Sequence, residues 1–523
     1  MAGFVQEQCL IEPVIMNAPS AKPYLSKSRL ISAWQCSKKL HLEVHHRELG
    51  ETSSMAESLF AAGHRVGEIA QQIFGAGGGV EIPYSVGLNE ALRQTAELVA
   101  NGHDAPIYEA TFQHDGVLVR TDVLLPLGNG GWRAIEVKAA ASVKLHHELD
   151  CAIQYWVLRN AGLDLKTISL AHMDTAFVYA GGANYRGLLV EADLTTKAQQ
   201  LQDEVVELIS TARTAVTGAL PDIPVSDHCY SPYECAFISH CWPAQAEYPV
   251  MGLGGSKAEL AGWVNAGCRD IRDVDAGALT GATRLRIHAA TCKGKEEVSA
   301  DAQQVFAQFA YPRYYLDFET IGPAIPRWAG MRPYQAVPVQ WSCHVDHGAT
   351  EDGVEAIRHH EFLDLSGDPP MRALAEKLVQ CLGSSGPVFM YTNYEQRVIN
   401  GLAKMFPDLA APLAGIVERL VDLHPLVKQH YYHPKMLGSW SLKAVTPTVA
   451  SELDYSALEG ISEGMAASDG YLEAIHPDTT PIRKIELEQQ LLEYCRLDTK
   501  AMVKIVQVLA SGKPASGPSS PDG

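Results

Sequence analysis

Glu136 and Lys138 stand two residues apart in Trp132-Arg-Ala-Ile-Glu-Val-Lys138, and Asp122 closes the preceding run Gly116-Val-Leu-Val-Arg-Thr-Asp122. Alternate side chains of a strand share a face, so Glu136 and Lys138 project together while Ile135 and Val137 take the other side. The glycine-rich turn Gly128-Asn-Gly-Gly131 suits an antiparallel hairpin that brings Asp122 beside Glu136. Two carboxylates placed this way can hold Mg²⁺ or Mn²⁺ against a phosphate, and the lysine can orient or activate the attacking water. An ordinary strand pair with solvated charges presents the same three residues, so the surrounding elements decide their weight.

A second acidic set lies far downstream. Tyr314-Tyr-Leu-Asp317-Phe-Glu319-Thr320 is an apolar strand ending in D-x-E, with both acids on one face as a two-metal site requires. In Tyr494-Cys-Arg-Leu-Asp498, Tyr494 and Asp498 are four apart and share a helix face. Glu395 opens a helix after the strand Pro387–Tyr391, where an acid is also favourable capping; Asp422 is an alternative fourth acid. Lys443 reads as a solvated lysine or a phosphate contact.

Cys229, Cys235 and Cys241 are evenly spaced, and Cys36 stands far upstream in Ala33-Trp-Gln-Cys36. Four such thiolates make a 4Fe–4S site, with zinc as the rival and His228 or His240 as substitute ligands. Ordinary buried cysteines are the remaining alternative.

The elements that must position these residues can be read from periodicity. A helix is expected over Met55–Phe74, strands over Ile107–Phe112, Val117–Leu125 and Trp132–Lys138, a helix over Leu149–Ala161, a strand over Leu170–Tyr179 and a helix over Thr195–Val216. Residues 250–305 read as a small helical linker. Beyond it, strands are expected at Tyr314–Phe318, Val337–His344, Ala356–Phe362 and Val388–Tyr391, with helices at Met371–Leu382, Glu395–Met405 and Ile485–Leu509. This gives an α/β chain divided into a lead-in 1–24, a unit 25–245, the linker 250–305, a unit 308–510 and a disordered tail 511–523. The 523 residues, 46% hydrophobic, suffice for such cores. No apolar run reaches the roughly 20 residues of a membrane span, and the first residues lack a signal-peptide pattern, so a cytoplasmic protein without a membrane partner is expected. Eleven cysteines then read as thiols or ligands rather than disulfides. The net charge of -19 argues against a basic coat but leaves room for local patches. Lys27, Arg29, Lys38, Lys39 and Arg47 face only Glu43 between Leu25 and Arg47, a solvated helix face or a phosphate-contacting stretch. With no G-x-x-x-x-G-K-[ST], a built-in P-loop motor is not expected.

Residues 25–243 resemble the RecB-like PD-(D/E)xK nucleases, notably the CRISPR-associated RecB-like exonucleases with an iron–sulfur cluster. The matching pieces are Ser26-Lys-Ser-Arg-Leu30, Asp122, Glu136-Val-Lys138, Gln154-Tyr155 and the four cysteines. The resemblance implies a PD-(D/E)xK restriction-endonuclease-like fold. It also implies catalytic roles for Asp122, Glu136, Lys138, Gln154 and Tyr155, and a structural 4Fe–4S cluster on Cys36, Cys229, Cys235 and Cys241. The cysteine spacing is more even than that family's tight pair. The helical ligand is His64 or Glu68, and Glu109 is a further candidate. The downstream motifs resemble DEDD-type 3′→5′ exonucleases on an RNase H-like fold. That resemblance implies metal binding by Asp317, Glu319 and Asp498, with Tyr494 at the water and Glu395 or Asp422 as the fourth acid; a glutamate replaces the usual aspartate of the middle motif. The whole chain is similar to bacterial RecB-like nuclease proteins carrying a C-terminal domain of unknown function. A metal-dependent DNA nuclease in repair, recombination or defence is the expectation, acting on single strands or free ends. Its rivals are a nucleic-acid-binding or assembly protein with inactive nuclease folds, and an RNA-processing 3′→5′ exonuclease.

Overall fold

The computed structural model describes residues 25–51, 54–75, 78–128, 130–242, 246–349, 355–455, 458 and 460–512. The expected lead-in and all of the tail but Ser511 and Gly512 lie outside the described residues. The chain is a mixed α/β protein. It opens on β1 (Leu25–Ser26) and runs through α1 (Lys27–Gln35), α2 (Ser37–His45), α3 (Ser54–Gly75), β2 (Val80–Glu81) and α4 (Leu88–Ala100). Then come β3 (Ile107–His114), β4 (Val117–Pro126), β5 (Trp132–Lys138), α5 (Leu145–Asn160), β6 (Leu165–Met173), β7 (Leu189–Asp193), α6 (Thr195–Gln200) and α7 (Gln202–Thr217).

These strands form one sheet in the order β2-β3-β4-β5-β6-β7, with β1 parallel to the first residues of β4, Leu25 opposite Val117. Strands β3, β4 and β5 are antiparallel; β6 is parallel to β5, which requires the crossover that α5 supplies. Along β4, Val117, Val119, Thr121 and Val123 are buried, while Leu118, Arg120 and Asp122 on the opposite face are half-buried. Because β1 leads straight into α1, capped by Ser26 Oγ accepting from Arg29 N at 3.3 Å, Lys27 starts beside that second face.

Two sequence expectations differ. The strand expected at Leu170–Tyr179 is Leu165–Met173, because Asp174 Oδ1 accepts from Ala176 N and turns the chain. The helix expected over Thr195–Val216 breaks at Leu201 into α6 and α7. Helix α4 and strand β7 were not anticipated.

Residues 238–307 supply α8 (Ile238–Cys241), α9 (Lys257–Asn265), α10 (Ala282–Lys293), β8 (Glu297–Val298) and α11 (Ala302–Ala307). Next follow β9 (Arg313–Ile321), β10 (Val337–Ala349), β11 (Glu355–Leu363), α12 (Met371–Leu382), β12 (Val388–Met390), α13 (Tyr394–Met405), α14 (Ala410–Val417), β13 (Leu420–Asp422) and α15 (Leu423–His430). The chain ends with β14 (Tyr431–Tyr432), α16 (Leu442–Val449), α17 (Gly464–Ala474) and α18 (Pro481–Ser511). The second sheet runs β11-β10-β9-β12-β13, antiparallel across β9 to β11 and parallel from β9 through β12 to β13. Thr480 caps α18 and Pro481 occupies its first turn, where a missing N–H costs nothing.

One core lies under the first sheet and another against the second. A third joins Val250, Ile271 and Phe306 of the middle region to Tyr315, Phe389 and Val506, so the linker shares its core with the second sheet. Tyr179 ties the two halves, donating its N–H to Met331 O at 2.9 Å and accepting from Gly330 N at 2.8 Å. Among the described residues no helix is long and apolar enough to cross a membrane.

Candidate functional site

In the first sheet, the β4–β5 register sets Val123 opposite Ile135 and so brings Asp122 to the level of Glu136. Asp122 Oδ2 accepts from Val137 N at 2.6 Å. Glu136 is almost fully enclosed and is the hub. Its Oε1 accepts from Lys138 Nζ at 2.5 Å and from Lys27 Nζ at 2.6 Å, and its Oε2 accepts from Gln154 Nε2 at 2.5 Å. Thr121 Oγ1 donates to Gln154 Oε1 at 3.2 Å, which fixes the amide orientation. Asp150, one turn before Gln154 on α5, meets Lys138 at 2.7 Å and Lys27 at 3.1 Å. Two carboxylates and two ammonium groups thus form a closed, buried quartet.

Electrostatics separate the acids. Burial and the charge of Glu136 push Asp122 up to about 8. Burial also opposes ionisation of Glu136, but Lys138 and Lys27 outweigh it and hold its pKa far below the usual range. Burial would lower both lysines; the carboxylates of Asp150 and Glu136 override it and keep them protonated. Glu109, in β3 at the level of Asp122, is raised by burial and takes a left-handed φ of 56°. Backbone strain of this kind in a non-glycine residue persists only where neighbours enforce it.

Not every expected residue joins this set. Tyr155 turns away, its hydroxyl accepting from Gln199 Nε2 at 3.1 Å, because consecutive helix residues point about 100° apart. His64 and Glu68 lie on an exposed face of α3 and pair with each other at 3.6 Å. Lys27 and Asp150 were not singled out as site residues. The i, i+4 spacing of Asp150 and Gln154 was a signal for the second; the first stood only within the basic stretch after Leu25, with nothing local to pair it with Glu136.

In the second half, Asp317 and Glu319 extend from β9, while Tyr494, Cys495 and Asp498 extend from α18, which packs across β9 and β10. Ligand atoms of Asp317, Glu319 and Cys495 lie within 4.8 Å of one another. Cys495 Sγ donates weakly to Asp317 Oδ2 at 3.7 Å. Tyr455 Oη donates to Asp498 Oδ1 at 2.5 Å. Burial first, and then Asp498, Glu319 and Glu395, drive Asp317 well up; burial and Asp498 do the same to Glu319. Burial pushes Glu395 up to about 8 and Asp498 up to about 6. Glu395 Oε2 is buried without a hydrogen-bond partner. Of the two alternatives for the fourth acid, Glu395 shares the electrostatic neighbourhood of Asp317. Asp422 Oδ1 instead caps α15, accepting from His424 N at 2.9 Å and Thr392 N at 3.0 Å. Lys443 donates to Ser462 O at 2.5 Å and lies 5.1 Å from the Tyr494 ring centre, where its charge tempers Glu319 and Asp498. Sequence reasoning passed over Cys495 and Tyr455.

Cys36, Cys229, Cys235 and Cys241 line one cavity, with Lys38, Lys39 and His228. Cys36 sits at the junction of α1 and α2, and Gln35 Nε2 fastens that junction to His228 O at 2.8 Å and Tyr233 O at 2.7 Å. Burial raises the thiols of Cys36 and Cys241 and pushes Cys235 to about 11; each also feels Cys229. Among the described residues, no three of these sulfurs come within 4.8 Å of one another. The His228 ring is engaged by the Ser226 hydroxyl at 2.6 Å.

Comparison with known proteins gives little beyond this geometry. Residues 314–441 match the domain of unknown function DUF2779, a description that carries no activity. No curated protein matches the chain. A solved structure titled "Crystal structure of SSO0001" is similar over 39% of this chain and 88% of its own, at 14% identity and a TM-score of 0.18.

Proposed function

We propose that this chain is a metal-dependent nuclease acting on DNA strands with free or single-stranded ends, with two hydrolytic centres. In this reading the first half is a PD-(D/E)xK-like unit and the second an RNase H-like unit of DEDD type. The observation that carries it is the convergence of Asp122, Glu136, Lys138 and Gln154, from three separate elements, around one carboxylate. The strand order of the second sheet, with β9 at its centre bearing Asp317 and Glu319, supports the second unit.

The donor sets fit divalent metals. In the first centre Asp122 and Glu136 would hold Mg²⁺ or Mn²⁺ in place of the Lys27 ammonium now on Glu136 Oε1; Asp317, Glu319 and Asp498 would do so in the second, with Glu395 Oε2 the orphaned buried oxygen beside them. Such ions polarise a phosphodiester and lower the pKa of bound water. The chain's own contribution at the first centre follows from its charges. Lys138 stays protonated between Glu136 and Asp150, so it orients the nucleophile and stabilises developing negative charge rather than accepting a proton. Gln154 holds Glu136 in a fixed rotamer. Tyr494, beside Asp498, would position water in the second centre.

The four cysteines fit a structural cluster. Thiolates about 2.3 Å from one zinc lie about 4 Å from each other. Around this one cavity they would hold 4Fe–4S, which places several irons between its sulfurs, with zinc as the rival.

The test is digestion of end-labelled single-stranded DNA and RNA with Mn²⁺ by wild type, Lys138→Ala, Asp317→Ala and the double variant. We expect DNA cleavage stopped by chelation, each single variant to lose one activity by about 10²-fold or more, and the double variant to be inactive. A double variant that cleaves like wild type overturns the assignment. Wild-type protein that binds but never cleaves makes the chain an assembly or binding protein, and cleavage of RNA alone makes it an RNA exonuclease.

A further inference from the structure

Tyr84 is 73% exposed, among the most exposed large side chains of the described residues. Buried Ile82 and then Pro83 lead into the single turn Tyr84–Val86 that presents it. An aromatic ring left this open adds little to folding, yet it is not loose. The Arg120 guanidinium lies 3.7 Å from its ring centre and also donates to Ile82 O at 3.3 Å, so the turn and the ring are held by the same side chain. Arg120 is two residues before Asp122 on β4 and shares its face. The contact with Arg120 therefore sets the ring on the Asp122 side of β4, at the edge of the first acidic centre.

We propose that Tyr84, braced by Arg120, is a stacking platform for one unpaired nucleobase next to the phosphate held at Asp122 and Glu136. This rests on the nuclease reading of that centre and adds to it the residue that would hold an unpaired base. A ring with a cation on one face and solvent on the other offers one open π-surface, and base–aromatic stacking needs no particular base. Paired bases inside a duplex cover their faces with each other and do not meet it. Arg120 serves twice, fixing the ring by a cation–π contact and leaving positive charge beside the strand.

The experiment is binding of a fluorescein-labelled oligothymidine to the full chain in Ca²⁺, by anisotropy, with an otherwise identical strand series in which one abasic position is moved along the chain. Tyr84→Ala is expected to weaken binding about tenfold or more, while Tyr84→Phe and Tyr84→Trp stay near wild type. One abasic position should cost wild type a similar factor and cost Tyr84→Ala nothing further. Equal binding by wild type and Tyr84→Ala overturns the platform and leaves the nuclease reading standing. So does a Tyr84→Phe loss as large as that of Tyr84→Ala, or an abasic loss that persists in Tyr84→Ala. A wild-type chain that binds no strand overturns both readings.

Discussion

The two acidic centres are equally enclosed but are neutralised in opposite ways. In the first, Glu136 and Asp150 face Lys27 and Lys138 in a closed quartet. In the second, Asp317, Glu319, Glu395 and Asp498 crowd together with a thiol and two tyrosines, and Lys443 only tempers them. Like charges in a low dielectric cannot all ionise, so part of the second set stays protonated. The contrast teaches that burial of carboxylates says little about metal demand until their counter-charges are found. One centre is balanced by lysines of its own chain, and the other by protons.

The same chemical change should therefore act with opposite sign in the two places. Glu136→Gln removes one of the two anions on which both lysines converge and leaves Asp150 alone to balance two half-buried cations, for an expected loss of about 3 kcal/mol. Thermal unfolding in EDTA reads this directly, and an unchanged midpoint would break the comparison on the first side. Lys27→Ala leaves Glu136 with one cation and should cost about 1–3 kcal/mol without metal. Mn²⁺ should restore more stability to this variant than to wild type, because the ion then fills a place that an ammonium holds in the native chain. Equal stabilisation of both proteins would show that Lys27 does not compete with metal.

Glu319→Gln is expected to raise metal-free stability, since it relieves repulsion. Glu395→Gln probes the pH dependence of the same set. The Glu395 carboxyl ionises near 4.5 when unfolded and near 8 when folded, so the native state binds the extra proton between those values. Stability attributable to it then falls as pH rises through that window, by at most about 1.4 kcal/mol per pH unit. In EDTA, wild type should lose midpoint temperature between pH 5 and 8 more steeply than Glu395→Gln, and Mn²⁺ should flatten the difference. Parallel profiles would remove Glu395 from the cluster.

The centres differ also in how much the sequence disclosed. Asp122, Glu136 and Lys138 were legible because strand alternation and a hairpin turn act over a few residues. Asp317 with Glu319, and Tyr494 with Asp498, were legible for the same local reason. Lys27 was not, since 109 residues separate it from Glu136 and only the pairing of β1 with β4 brings them together. Tyr155 was assigned by motif, but its helical phase carries it to Gln199. Asp422 and Glu395 look alike as acids near a helix start; local backbone donors engage the first, while the second extends to Asp317. Strand β7 was missed because Leu-Val-Glu-Ala-Asp is short and largely exposed, and so carries little pattern.

The junction that ties Gln35 to the His228 carbonyl spans 193 residues of chain, and this sets a timetable for synthesis. At about 5–20 residues per second, Cys36 leaves the ribosome roughly 10–40 s before Cys229 exists. Contacts so remote in sequence close only after the intervening sheet has ordered. For that interval Cys36 is without the three downstream cysteines that share its cavity. The cavity is thus the last part of the first half to be completed. A ligand shared by the four cysteines can be taken up only once residue 241 has emerged, while the second half of the 523-residue chain is still being made.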